Sequence, residues 1–269
     1  MSGAFRAASA VERRADGVYA CRIPDGWQQG RGAFGGLVLG VLARAMDDVA
    51  RAHDGAPRTL RSLTGDLCGP ALPGEGAVTV TTLRRGKGMT FLDARLEQPG
   101  GVVARASAAF AASRGTRTPA VSPPAPDARP WRDVPVFERL GTGAPDFTAH
   151  YEYRPTGPLP FAGSAVPACA GWVRERAHDG APLDTPAVLG LVDAWWPAVF
   201  SIEPAPRPMA TVTFTFELLA DASELPGDEP LQFASHAVVA RDGLFVEFRE
   251  LWAGGRPVAF NQQTFAILG

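Results

Sequence analysis

The short turns between successive apolar runs constrain this chain more than any other feature. Strand-like segments at residues 59–68, 77–85, 90–97 and 102–113 are separated by Leu72-Pro73-Gly74-Glu75-Gly76, Arg85-Gly86-Lys87-Gly88 and Gln98-Pro99-Gly100-Gly101. Such connections suit hairpins and leave no room for the crossover helix that a parallel pair needs, so the sheet is expected to be antiparallel. The same pattern returns at 210–219, 231–241, 244–252 and 257–268, with Leu225-Pro226-Gly227-Asp228, Asp242-Gly243 and Gly254-Gly255 as turns. The chain reads as a degenerate tandem repeat.

Each repeat holds one helical pattern. Leu37, Val38, Val41, Leu42, Ala45, Met46 and Val49 form an apolar stripe at helical period after a loop over 24–36, while Arg44, Asp47, Asp48 and Arg51 fall on the face expected to meet water. In the second repeat residues 184–200 read as a buried helix: Thr185 can cap it, Pro186 fits the first turn, Val188, Leu191, Val192 and Trp195 repeat at helical spacing, and Pro197 ends or kinks it. Asp193 is the anomaly, a carboxylate among apolar neighbours near the negative end of the helix dipole. Burial there demands hydrogen-bond donors or a task in proton transfer; the plainer alternative is an Asp that faces solvent. Ahead of the helices lie short strand-like runs, 7–12 and 17–23 around a turn at Ala15-Asp16-Gly17, and later 147–153 and 169–174. A turn is expected at 53–57, and the Pro-rich stretch 118–135 is expected to be a stiff connection between a first unit, 1–117, and a second, 136–269. A single helix against an antiparallel sheet has only that face to bury against, so the sheet should envelop it.

Composition narrows the partners. The 269 residues are 46% hydrophobic, ample for a core, and the formal net charge of −2 offers no electrostatic footprint for nucleic acid or an anionic membrane. Cys21, Cys68 and Cys169 are widely spaced without a paired motif, so neither a disulfide framework nor a structural zinc site is indicated, and a reducing cytoplasm fits. The first residues lack a signal-like apolar core, and no stretch approaches the roughly 18 apolar residues of a membrane span. The four histidines, His53, His150, His178 and His236, are scattered without the spacing of a metal site or triad. Gly30-Arg31-Gly32-Ala33-Phe34-Gly35 matches a dinucleotide fingerprint in letters, but hairpins rather than a parallel strand follow it.

With helix and hairpins in this order, the first half carries AFGGLVLG and then LRRGKGMTFLDARLEQPGGVVARASAAF; the second carries LVDAWWP, PMATVTF and VEFRELWAGGRPVAFNQQTF. These segments resemble the two repeats of the acyl-CoA thioesterase II family. The resemblance implies an α+β double hot-dog, two tandem antiparallel sheets each wrapped around one long helix, and hydrolysis of an acyl thioester without a cofactor or metal. It further implies that Asp193, Thr211 and Gln263 hold the attacking water, that the thioester is carried by CoA or an acyl carrier protein, and that two or more copies assemble.

The residues add to that assignment. Val212, Phe214, Phe216 and Leu218 alternate with Thr211, Thr213, Thr215 and Glu217, which puts Thr211 on the sheet face away from the aromatics, toward a cleft or toward solvent. Gln263 lies inside a strand, as a site amide or as an ordinary cross-strand amide. Overlaying the two last strands sets Ala108 opposite Gln263, so one competent site is expected. Gly35 and Gly36 open the first helix, and their N–H groups are expected to polarise the thioester carbonyl, unless they serve only close packing. Other readings stay beside this. A non-catalytic acyl or polyketide binder would keep the same fold. A hot-dog hydratase would need a histidine, but Ala198 stands where one would fall. Arg84, Arg85 and Lys87 either contact CoA phosphates or form a solvated hairpin turn. Trp195 and Trp196, just after Asp193, either narrow an acyl tunnel or favour a ring-bearing substrate.

Overall fold

The computed structural model describes residues 3–52, 57–113, 121–138 and 143–268. Most of the 53–57 turn, the start of the Pro-rich connection at 118–120 and His53 therefore lie outside the described residues. The first half runs α1 (Ala4–Ala8), β1 (Val11–Ala15), β2 (Val18–Ile23), a two-strand flap of β3 (Gln28–Gln29) and β4 (Gly32–Ala33), α2 (Gly35–Arg51), β5 (Arg58–Leu67), β6 (Gly74–Arg85), β7 (Met89–Gln98) and β8 (Gly101–Ala112). The second runs β9 (Tyr151–Pro155), β10 (Ala168–Glu175), α3 (Thr185–Asp193), β11 (Met209–Leu218), β12 (Leu231–Arg241), β13 (Leu244–Ala253) and β14 (Arg256–Ile267).

Every strand pairing is antiparallel, as the turns require. The order across the large sheet is β1-β2-β6-β7-β8-β5-β11-β14-β13-β12-β10-β9, so each half has the same internal order and the halves mirror one another about the β5·β11 seam. The two tandem sheets of the expected double hot-dog join edge to edge as one continuous twelve-stranded sheet, because β5 and β11, the first strands after each helix, pair through Asp66↔Thr213 to Ser62↔Glu217. Pairing these strands satisfies backbone groups that two separate sheets would have left on open edges.

The sheet wraps an antiparallel helix pair. Gly36 of α2 meets Gly190 and Asp193 of α3, and Gly40 meets Pro186, so the N-terminus of one helix lies against the C-terminus of the other. Residues 35–43 of α2 are buried on all sides, and the wet face that the stripe predicted begins after them, with Asp48 and Arg51 exposed. Arg44 is half-buried, and its guanidinium bridges the Ser9 carbonyl and hydroxyl to Asp184. The cap of α3 is Asp184 rather than Thr185, its carboxylate accepting from the Ala187 N–H at 3.0 Å. Asp193 is the last helical residue.

The run expected as a first strand at 7–12 begins instead as the helix α1. It is ordered by Phe5, which is 1% exposed and sits where Gly40 and Gly190 leave room, with its N–H held by Glu175 Oε1 at 2.7 Å. Likewise residues 146–150 form a 3₁₀ turn, and only Tyr151 starts the strand.

A Cβ at Gly190 would come within 2.4 Å of the Phe5 ring. We expect Gly190→Ala to cost about 1–3 kcal/mol in denaturant unfolding through overpacking, despite its better helix propensity, and Phe5→Leu to recover part of that loss in the double variant.

Candidate active site

One cavity of about 890 Å³ opens beside the helix junction and is lined by both halves of the chain, among them Gly35, Leu67, Asp193, Trp196, Thr211 and Arg249. Symmetry would place a second site at the other end of the helix pair. There Arg44 and Asp184 pair, the α1 segment lies across the helices, and the hollow beside Gly3, Arg6 and Ala187 holds only about 20 Å³. Ala108 on β8 faces inward and is buried, with no amide to offer.

At the open end the polar groups form a chain. The Gln263 amide donates to Asp193 Oδ1 at 2.8 Å and to Asn261 Oδ1 at 3.0 Å, and the Thr211 hydroxyl donates to Gln263 Oε1 at 3.0 Å. The three sequence-predicted residues thus come together, Asp193 from the end of α3, Thr211 from β11 and Gln263 from β14. Thr211 arrives by a route that strict alternation misses. A register shift between Thr211 and Thr213 inserts Val212 as a bulge, which is 39% exposed. The extra residue turns Thr211 to the same side as Phe214 and its cross-strand partner Gln263, not to the opposite face.

Two further groups were invisible as site residues. Arg249 on β13 is 1% exposed and donates to Asp193 Oδ1 at 3.2 Å and to the Asp193 and Val192 carbonyls at 3.2 and 3.4 Å. It therefore both pairs the carboxylate and closes the C-terminus of α3. Its Nε donates to Glu247 Oε1 at 2.9 Å, and Glu247, fully buried, accepts the Ala198 N–H at 2.8 Å. The signal for them lay in β13, where Glu247 and Arg249 share the inward parity of Phe245 and Leu251.

The glycines divide. The Gly36 N–H donates to Asp193 Oδ2 at 2.6 Å, so this amide holds the carboxylate and is not open to a carbonyl, contrary to the expectation for it. The Gly35 N–H has no partner among the described residues, and Gly35 lines the cavity. A Cβ there would meet Leu67 and Asp193 Oδ2 at 2.9 and 3.1 Å, so only glycine lets the backbone sit this close to the carboxylate.

Burial pushes the Asp193 carboxyl above the ordinary range; Arg249 and the donors from Gln263 and Gly36 pull it back, and Glu247 adds to the rise. Such a carboxylate is a stronger base than a solvated one. Of the basic groups, Arg31, Arg176 and Arg207 line the cavity, whereas the Arg84–Lys87 hairpin does not, and Arg85 instead donates to the Val49 carbonyl. His150 lies flat on Trp27 with Nε2 on the Gly26 carbonyl, away from the carboxylate.

The continuous sheet around paired helices, with one buried carboxylate, amide and hydroxyl at a single end, defines a double hot-dog protein. Family models match in series: an acyl-CoA thioesterase N-terminal domain over residues 23–111 and an acyl-CoA thioesterase C-terminal domain over 119–267. The chain belongs to this acyl-CoA thioesterase family and is a thioester hydrolase. Similar solved structures include a hot-dog protein of unknown function from Alicyclobacillus acidocaldarius (23% identity, 100% and 99% of the two chains covered, TM-score 0.87). A candidate thioesterase II from Thermobifida fusca is 25% identical over 100% and 98%, with a TM-score of 0.83. An acyl-CoA thioesterase II from Mycobacterium marinum is 18% identical over 98% of each chain, with a TM-score of 0.76. No curated protein matches the sequence.

Removing the Arg249 charge takes away the main influence that keeps Asp193 ionised. In Arg249→Met the Asp193 titration, followed by carboxyl carbon NMR, is expected to move to higher pH. Because the folded protein already binds this proton more tightly than the unfolded chain, the stability Asp193 contributes is present below about pH 3.9 and is lost as pH rises through its folded value. The variant should therefore lose more stability at neutral pH than near pH 4.

Proposed function

We propose that the chain hydrolyses an acyl-CoA to the free acid and CoA, with Asp193 as general base. The observation that carries this reading is the buried chain Thr211–Gln263–Asp193, in which each side chain orients the next and the last is a carboxylate made more basic by its surroundings. A water seated between Asp193 and Thr211 is deprotonated by Asp193 and attacks the thioester carbon. The oxyanion that forms is met by the Gly35 N–H at the positive end of α2, the amide without a partner among the described residues. Collapse breaks the C–S bond, and the CoA thiolate takes up the proton that Asp193 received. Gln263 and Thr211 position rather than transfer; Gly36 keeps Oδ2 in place, leaving Oδ1 as the oxygen shared by Gln263 and Arg249.

The cavity arginines Arg31, Arg176 and Arg207 suit the phosphates of the carrier. Arg31 has no hydrogen-bond or ion-pair partner among the described residues, which leaves its charge free for an anion. A binder without catalysis would have no use for a buried carboxylate held ready by an amide, an arginine and a main-chain N–H.

Thiol release from a panel of acyl-CoAs tests the reading. Asp193→Ala is expected to lower kcat by about 10²- to 10⁴-fold, as loss of a general base does. Thr211→Ala should cost less, because the hydroxyl acts only through Gln263 and the water. Binding of acyl-CoA without thiol release by the wild-type chain would establish the binder in place of the enzyme. The kcat profile should fall on its acid side above the usual carboxylate range, and an acid limb at or below pH 4 would exclude Asp193 as the base.

A further inference from the structure

One alanine past Asp193 come two aromatic rings, Trp195 and Trp196. The Tyr153 hydroxyl donates to the Ala194 carbonyl at 2.8 Å, which fixes that ring one residue from the carboxylate. Trp196 lies 5.8 Å from Tyr153 and 5.6 Å from Phe137, ring centre to ring centre, and the Phe137 main chain is tied to Tyr153 by an N–H···O bond of 2.7 Å. Beyond Tyr153 the array continues to Tyr151 at 6.4 Å and from there to Phe147 at 6.5 Å. All five side chains belong to residues that line the cavity holding Asp193. The long aliphatic residues on its wall are Leu67, Met209 and Leu268, and Leu268 is 51% exposed.

Rings packed against one another in this way, three of the contacts tilted and that of Phe147 with Tyr151 edge-on, do not move aside independently, so the wall offers fixed flat surfaces at defined spacing. A planar ring gains from such a wall by stacking or edge contact and has few torsions to freeze. An unbranched alkyl chain gains only the area term and loses freedom at every bond. Because Tyr153 is anchored at Ala194 and Trp196 is three residues past the base, the contact falls near the reacting carbonyl and not at the far end of a long chain.

We propose that the acyl group this site takes carries an aromatic ring within a few bonds of the thioester carbonyl. The proposal rests on the thioesterase reading above. It separates the two roles open to the tryptophans: Trp196 selects a ring and does not merely shorten a tunnel for alkyl chains.

The full chain is assayed with phenylacetyl-CoA and cinnamoyl-CoA beside hexanoyl-, octanoyl- and decanoyl-CoA, following thiol release. The better aryl thioester is expected to exceed the best straight chain in kcat/KM by about tenfold or more. Trp196→Leu should bring that ratio toward one, whereas Asp193→Asn should remove both activities and leave the preference undefined. A straight-chain thioester that equals or exceeds both aryl substrates overturns the ring proposal and leaves the thioesterase reading standing. No thiol release from any of the five overturns both. If Trp196→Leu does not fold, product inhibition of the wild type decides the matter: phenylacetate is expected to inhibit octanoyl-CoA hydrolysis at lower concentration than octanoate does, and the reverse order overturns the proposal.

Discussion

The hydrogen bond from the Gly36 N–H to Asp193 Oδ2 joins the two halves of this chain at their most demanding point. A carboxylate at the C-terminus of α3 stands where its own helix dipole disfavours it, and burial adds a desolvation cost. The antiparallel pairing of α2 against α3 reverses the sign of that field by bringing up the N-terminus of the other helix, whose first N–H groups lack helical acceptors. Close approach is the condition for this. A Cβ on Gly36 would press on the Phe34 ring at 2.6 Å and on Asp193 at 2.9 Å, so the small residues at the crossing are what allow the carboxylate to exist there.

Around that contact the interior is polar in a strictly paired way. Asp193, Arg249 and Glu247 are buried charges that alternate in sign, and Ala198 closes the series with a main-chain N–H. Such an arrangement is a poor source of stability, since each ion loses its water, but it becomes costly to disturb once built because removing one member strands another. The same interactions that hold α3 to β13 thereby set the basicity and direction of the carboxylate. Fold and site share these groups, which is why the carboxylate can be raised in basicity without being left unpaired.

The asymmetry between the repeats follows from a few side chains. Both halves supply a helix and a matching set of strands, yet among the described residues one end of the helix pair opens on a cavity of about 890 Å³ and the other on a hollow of about 20 Å³. At the other end Ala43 stands where the acid would fall, Arg44 pairs with Asp184, Phe5 fills the space left by Gly40 and Gly190, and Ala108 stands in for the amide. A duplicated architecture therefore keeps one site open, and the N-terminal helix that looked like a strand in sequence packs across the other end of the pair.

Much of this was legible in the chain. Short Gly/Pro turns forced hairpins, two apolar stripes marked the helices, and an Asp among apolar residues marked a buried carboxylate, because turn chemistry, periodicity and burial are properties of neighbours in sequence. The family resemblance singled out Asp193, Thr211 and Gln263, and the fold brings them within hydrogen-bond reach. What local pattern could not supply was long-range. The Val212 bulge overturned the face on which alternation put Thr211, the β5·β11 seam merged two sheets into one, Asp184 displaced Thr185 as a cap, and Gly36 proved to hold the carboxylate. Arg249 and Glu247 could have been noticed for their inward parity on β13, but their partners lie 49 to 57 residues away along the chain. The sequence by itself determined the hairpins, the two helices and the antiparallel order of the strands between them. Only the tertiary structure decided which group faces which, because hydrogen-bond partners, dipole ends and cavities are set by packing between segments that no local periodicity relates.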